Sequence, residues 1–420
     1  MYNNYRNDLE VNVKAVGIIT EYNPMHEGHI IHINESRRMS GADIVICVMS
    51  GDYVQRGEPA IIDKYSRAKM AVLNGVDLVV ELPVQASLSS AETFAEQSVQ
   101  ILHILGVDSI CFGCEDSDIN GLDMIASLLI DEPDNFRQRL TKLLSSGESY
   151  ASARQKAVEL CIGCDKAAVL EKPNNTLGIE YIKAVKKYGY DIKPMCIKRD
   201  GAGYNDASYE KDIVPSATAV RNAILDGRLD NIALPPLTRK VLDDSTAYPV
   251  VFNDFTSMFY YRLEMLIAES AYDKEAFIDK LLNIRDISTE TAARIYNIYN
   301  KMTASDTVYP LDEFALLIKT KQYALSRIKR IIMKIILNIG KSDTSEQCSY
   351  VRILGFNQNG RKYLSYIRDS INVPLISRVA GCKDIYYKQI QAHNIYRQIC
   401  ECKFNQAPVS DYKYHPFMTD

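Results

Sequence analysis

Several features are scarce or missing in this chain of 420 residues. No run approaches the roughly 18 consecutive apolar residues of a membrane-spanning helix. The opening "MYNNYRNDLEVN" also lacks the apolar segment of a secretory signal. No membrane partner is therefore expected, and the protein is read as cytoplasmic. With only 20 Gly and 14 Pro against 47% hydrophobic residues, collagen-like repeats and disorder are excluded, and two or three domains with real cores are expected. Ten cysteines include two CxxC pairs, Cys111 with Cys114 and Cys161 with Cys164, which could in principle offer zinc four thiolates. Cys111 sits in an apolar run, Cys161 ends a helical pattern, and the residues usual around zinc are missing. The cysteines are read as small apolar fillers, and no metal site is expected. Tryptophan is absent and there are only six histidines, yet His26, His29 and His32 fall in one seven-residue window of "EYNPMHEGHIIH".

Charge is scarce only in the aggregate. The net value is −4, but residues 319–403 carry sixteen Lys and Arg against five acids, a local +11 that leaves −15 for the rest. Such asymmetry hints at a polyanion-binding half, although a charge run is also what a solvated face looks like.

A punctuation mark recurs four times: Gly, any residue, Asp, then an apolar β-branched run. It opens "GADIVICVMS", "GVDLVVELP", "GVDSICFG" and "GYDIKPMCIKR", each after a helical pattern. Glycine suits the left-handed residue that closes a helix, and an apolar run between helices reads as a strand buried on both faces. With "VKAVGIIT" as first strand, the alternation predicts an α/β fold, a Rossmann-like doubly wound parallel sheet. "LPPLT" near Leu234 marks a boundary. The division expected is a polar tail over 1–12, a nucleotide-binding domain over 13–233, and a mainly helical basic domain over 234–420.

In such sheets ligands bind beyond the carboxyl ends of the strands. The histidines lie there, with His26 and His29 three apart at the start of a helix. A helix N-terminus offers unpaired N–H groups and partial positive charge to phosphate. Imidazole adds donors for charge developing on phosphate oxygens, and Gly28 permits close approach of the phosphate chain. Two other readings stand beside this one: an H-x2-H-x2-H metal site, although steps of three drift around a helix and no carboxylate completes the set, and histidines that merely pack.

"NPMHEGH" resembles the HxGH signature of the nucleotidyltransferase superfamily, and "PSATAVRNAI" from Pro215 resembles its second motif. In the latter, Ser216 or Thr218 caps a helix and Arg221 faces the triphosphate. Together with "MSGDYVQRGEPAIIDKYSRAKMAVLNGVDLVVELP", "FGCE", "KPNNTLGIEY", "IKRDGAGYND" and "VRILGFNQNGRKYL", the sequence resembles the bacterial tRNA(Met) cytidine acetate ligase family. The resemblance implies a nucleotidyltransferase-type sheet that makes acetyl-adenylate from acetate and ATP, with Mg²⁺ accompanying the ATP. Acetyl then passes to N4 of the wobble cytidine of elongator methionine tRNA. It implies an ATP site formed by Ile19, Thr20, Glu21, Tyr22, Asn23, Pro24, Met25, His26, Glu27, Gly28, His29, Ile30, Ile31 and His32, with Gly113, Asn175, Arg199, Asp200, Ser216 and Thr218. His26, His29 and Arg221 would act on the phosphates. Met25 stands where an aromatic is common, and Glu27 and Asp200 are acidic where neutral residues are expected.

In the basic half, Arg327, Lys329, Arg330, Arg361 and Lys362 stand beside tyrosines, a mixture suited to phosphate contact and base stacking. "YALSRIKRIIMKIIL" is equally the pattern of an ordinary amphipathic helix. No obligate protein partner is inferred. Two rivals share parts of this reading: another adenylyltransferase acting on a small phosphorylated substrate, and a noncatalytic RNA-binding protein on a nucleotide-binding fold.

Overall fold

Each Gly-x-Asp mark closes a helix and opens a strand, and the aspartate explains why. Gly41, Gly75, Gly106 and Gly189 all take positive φ, from 63° to 104°. In the first three marks the Asp two residues later accepts a backbone N–H at the start of a neighbouring strand. Asp43 Oδ2 takes Lys14 N–H at 3.1 Å, Asp77 Oδ2 takes Val45 N–H at 2.8 Å, and Asp108 Oδ2 takes Ala15 N–H at 2.7 Å. These three marks thus tie a strand to its neighbour as well as ending a helix.

The computed structural model describes residues 13–115, 118–198, 215–343 and 347–419. The strands are β1 (Ala15–Thr20), β2 (Ile44–Ser50), β3 (Leu78–Leu82), β4 (Ser109–Cys114), β5 (Lys193–Lys198), β6 (Val351–Phe356), β7 (Leu375–Ile376) and β8 (Phe417–Met418). They form one sheet in the order β8-β6-β3-β2-β1-β4-β5, with β7 beside β6. β1 to β5 are mutually parallel and arranged 3-2-1-4-5, and all residues of β2 and β3 are buried, as helices on both faces require. Flanking helices include α1 (Glu27–Ser40), α2 (Lys64–Leu73), α3 (Ala91–Ile104) and α4 (Pro173–Tyr188). The sheet is the Rossmann-like one expected.

The second half adds α5 (Ala217–Leu225), α6 (Leu325–Ile336), α7 (Gln358–Ile367) and α8 (Lys383–Phe404) among further helices. It does more than follow the sheet. β6 pairs antiparallel with β3, with Leu78 opposite Phe356 and Glu81 opposite Arg352, so residues from the stretch expected to be mainly helical extend the first half's sheet. The helical core around Phe255, Phe259, Phe277 and Phe314 takes in Tyr53, Val84 and Leu88.

α8 anchors the two halves to each other. Tyr396 donates to the Ala60 carbonyl at 2.9 Å, Tyr53 to the Ala392 carbonyl at 3.1 Å, and Gln389 Oε1 accepts Val84 N–H at 2.8 Å. Fully buried His393 lies with Nδ1 2.7 Å from Asp52 Oδ2 and Nε2 2.8 Å from the Val409 carbonyl. A neutral imidazole donates from one nitrogen only, so two acceptors call for the imidazolium. Burial opposes that charge, as does Lys64, but Asp52 and Asp411 outweigh them and raise the His393 pKa above the ordinary histidine value. Stability from this pair is therefore complete below about pH 6.5 and falls as pH rises through the raised folded value, with a slope of at most ~1.4 kcal/mol per pH unit. Urea unfolding between about pH 6 and pH 9 should show this decline, and His393→Gln should remove its contribution.

Candidate active site at the carboxyl ends of the strands

Strand order reverses between β1 and β4, and a cavity of about 260 Å³ opens at their carboxyl ends, the place where such sheets bind ligands. Ile19 to Asn23 and Gly113 line it as the strands run out, and His26, Gly28, His29, Ile31 and His32 line it from α1. His26 is the N-cap of α1, in extended conformation at φ −141°. Its Nδ1 accepts Gly28 N–H at 3.2 Å, and His29 Nδ1 accepts His26 N–H at 3.2 Å. Both imidazoles therefore use Nδ1 as an acceptor, which puts the proton of each neutral ring on Nε2. The rings lie 3.8 Å apart, and Tyr22 meets His29 edge-on at 4.9 Å. Two N–H donors at a helix N-terminus form a site prepared for an anion.

The second motif comes to the same place. Ser216 caps α5, its Oγ accepting Ala219 N–H at 3.1 Å. From that helix Arg221 donates to the Asn23 carbonyl at 2.8 Å and to Thr218 Oγ1 at 3.0 Å, and Ser216, Thr218 and Arg221 all line the cavity. Arg67, wholly buried, fastens the strand ends by donating to the carbonyls of Glu21 at 2.6 Å, Ser50 at 3.0 Å and Gly51. Burial raises the Glu21 carboxyl pKa, opposed by Gln55 N–H at 2.8 Å and by the charges of Arg56, Arg221 and Arg67. Phe94, Phe112, Leu177 and Tyr181 supply an apolar wall; Gly178 is required behind it, because a Cβ there would sit 2.5 Å from the Phe112 ring.

The family model for HIGH nucleotidyl transferases matches residues 13–410. The tRNA(Met) cytidine acetate ligase of Caldicellulosiruptor saccharolyticus is 36% identical over 413 residues, 97% of this chain and 96% of that one. The chain belongs to this family. Within it, the Listeria monocytogenes ligase is 36% identical over 412 residues, 97% of this chain and all of its own length. Thermotoga maritima TmcAL, solved apo, matches with a TM-score of 0.86 at 28% identity over 96% of this chain and 99% of that one; its form bound with alpha-thio ATP matches at 0.84 with the same identity and coverage.

Not every expected residue of the family's ATP site reaches the cavity. Pro24 and Met25 are buried in the turn beneath it, with Met25 in the core under β1. Ile30 packs against the same core. Glu27 is exposed and off the lining, where a carboxylate in the first helical turn complements the helix dipole. Asn175 is buried and accepts Glu115 N–H at 2.9 Å, while its neighbour Asn174 is the one that lines the cavity. Arg199 and Asp200 lie outside the described residues.

The cavity also draws on Val54, Gln55, Arg56 and Glu58, from a two-strand ribbon (Tyr53–Val54 with Glu58–Pro59), and on Lys198. "SGDYVQRGEP" follows β2, so its place after a strand was a usable signal for Arg56. Lys198, last in β5, carried the same signal. Among the described residues no group of three or more His, Cys, Asp or Glu is arranged to hold a metal ion.

The five basic-half cations are dispersed. Arg327 stacks on Tyr323 at 4.2 Å. Lys329 and Arg330 are engaged with the ribbon, Lys329 with Glu58 at 2.7 Å and Arg330 with the Gln55 carbonyl at 3.1 Å. Arg361 and Lys362 are exposed in the first turn of α7. That turn is fixed to the start of β3, where Asn357 N–H donates to the Asp77 carbonyl at 3.0 Å. It lies toward the amino-terminal ends of the parallel strands, the end of the sheet opposite the cavity.

Proposed function

We propose that this protein is an ATP-dependent ligase that activates acetate as acetyl-adenylate, releases pyrophosphate, and acetylates N4 of the wobble cytidine of elongator methionine tRNA. The observation that carries the reading is the pairing of two Nε2–H donors at the α1 N-terminus with Ser216 and Arg221 at the α5 N-terminus, around one cavity. It is supported by near full-length relatives whose name states the reaction and by a similar fold solved with an ATP analogue.

The first step forms a bond from an acetate oxygen to the α-phosphorus and breaks the bond to the β-phosphate oxygen. His26 and His29 stabilise charge on the α-phosphate oxygens; Arg221 and the α5 N-terminus hold the departing pyrophosphate. No protein nucleophile is needed, so the site works by positioning and electrostatics. Mg²⁺, where it accompanies the triphosphate, would offset part of its charge, and Glu21 is a cavity carboxylate that could face it. In the second step the cytidine amine, lifted from its stack, bonds to the acyl carbon, loses a proton and expels AMP. Residues 234–420 serve as the tRNA-binding part, and the cytoplasm is the site of action. Among the described residues no helix is long and apolar enough to cross a membrane.

Incubation with ¹³C-acetate, ATP and elongator methionine tRNA, followed by nucleoside mass spectrometry, tests the reading. Labelled N4-acetylcytidine that requires ATP is expected. Adenylation of a small phosphorylated acceptor, without tRNA product, would instead establish the rival adenylyltransferase.

A further inference from the structure

The basic helix α6 touches the nucleotide cavity through the ribbon that follows β2. Glu58 lines the cavity, and its carboxylate pairs with Lys329 at 2.7 Å. Lys329 also pairs with Asp312 at 2.6 Å and lies 4.7 Å from the Phe252 ring centre; its side chain is 13% exposed. An ammonium so enclosed, already between two carboxylates, is poorly placed to meet an RNA phosphate. Burial opposes its charge, but Glu58 and Asp312 outweigh burial and hold its pKa above the usual lysine value.

Beside it, Arg330 donates to the Gln55 carbonyl, while Gln55 N–H donates to Glu21 in the cavity at 2.8 Å. The turn is pressed on the helix backbone. At Gly57, with φ +85°, a Cβ would stand 2.3 Å from Arg330 N.

We infer that Lys329 and Arg330 are positioning residues for ATP and not tRNA contacts: they clamp the Gln55–Glu58 turn, and Lys329 neutralises the one carboxylate that this turn presents to the triphosphate. The inference rests on the ATP reading of the cavity. An uncompensated carboxylate on the wall would repel a polyphosphate most strongly where water is partly excluded.

Calorimetric binding of a non-hydrolysable ATP analogue to the full chain tests this, with tRNA affinity measured alongside at several salt concentrations. Lys329→Met should weaken nucleotide binding roughly tenfold, with tRNA affinity and its salt slope unchanged. Glu58→Gln alone should bind at least as tightly as wild type. Adding Glu58→Gln to Lys329→Met should restore affinity to within about threefold of wild type, a coupling that a merely structural lysine would not produce. The inference is overturned if Lys329→Met binds nucleotide normally, or if it loses tRNA affinity with a salt slope smaller by about one. Should Lys329→Met not fold, weakened nucleotide binding by Glu58→Gln overturns it equally. Wild type that binds no nucleotide would sink the functional reading, whereas binding wild type with indifferent variants would sink this inference alone.

Discussion

Replacing His29 by alanine is expected to lower acetate-dependent adenylate formation by about 10²- to 10³-fold, the usual cost of losing one donor aimed at developing charge. The loss should fall mainly on kcat, because charge on the α-phosphate oxygens grows only as the acetate oxygen attacks. The same ring accepts His26 N–H at 3.2 Å through Nδ1, so the variant also loses part of the α1 cap, worth ~1 kcal/mol. Melting curves separate that modest loss from the catalytic one. His26 and His29 rings are 3.8 Å apart; if, as proposed, both serve one phosphate, the double alanine variant should be little worse than either single one. ATP–pyrophosphate exchange at the wild-type rate in His29→Ala would contradict the assignment, and unchanged tRNA binding is expected throughout.

The second large effect is on stability. Lys64, 1% exposed, pairs with Glu81 at 2.9 Å and Asp411 at 3.1 Å, and Tyr386 donates to Glu81. Burial opposes the lysine's charge, but Asp411 and Glu81 outweigh it and raise its pKa well above the ordinary value. Lys64→Met keeps the apolar stem and strips two buried carboxylates of their shared ammonium partner, a loss of about 3–5 kcal/mol. A domain's whole margin is only ~5–15 kcal/mol. Urea unfolding should register that loss, and the segment around Asp411 should become the first site of protease cleavage. A loss below about 1 kcal/mol would mean that the cluster does not tie the C-terminal segment to α2 as described.

The parallel sheet was legible because its signals are local. Gly41, Gly75, Gly106 and Gly189 announce a backbone conformation, the Asp after the first three announces a bond to a neighbour, and β2 and β3 are buried on both faces. The HxGH turn and the Ser216–Arg221 helix were legible for the same reason, since each cap lies within a few residues of what it caps. The ribbon at 53–59 was not, because two-residue strands have no periodicity to detect. β6 was hidden by its composition, six residues in a basic helical stretch whose pairing with β3 is set by distant contacts. The charge of Lys329 and Arg330 was plain, but their partners Glu58 and Gln55 lie 271 and 275 positions away. A count of cations cannot distinguish a strut from a phosphate contact.

The most direct test of the central claim, that the cavity between β1 and β4 activates acetate on ATP, is pyrophosphate exchange into ATP by the purified protein without tRNA. Exchange that requires acetate, saturates with it and collapses in His29→Ala is the predicted result. Exchange that ignores acetate, or none from folded protein that binds ATP, would contradict the account.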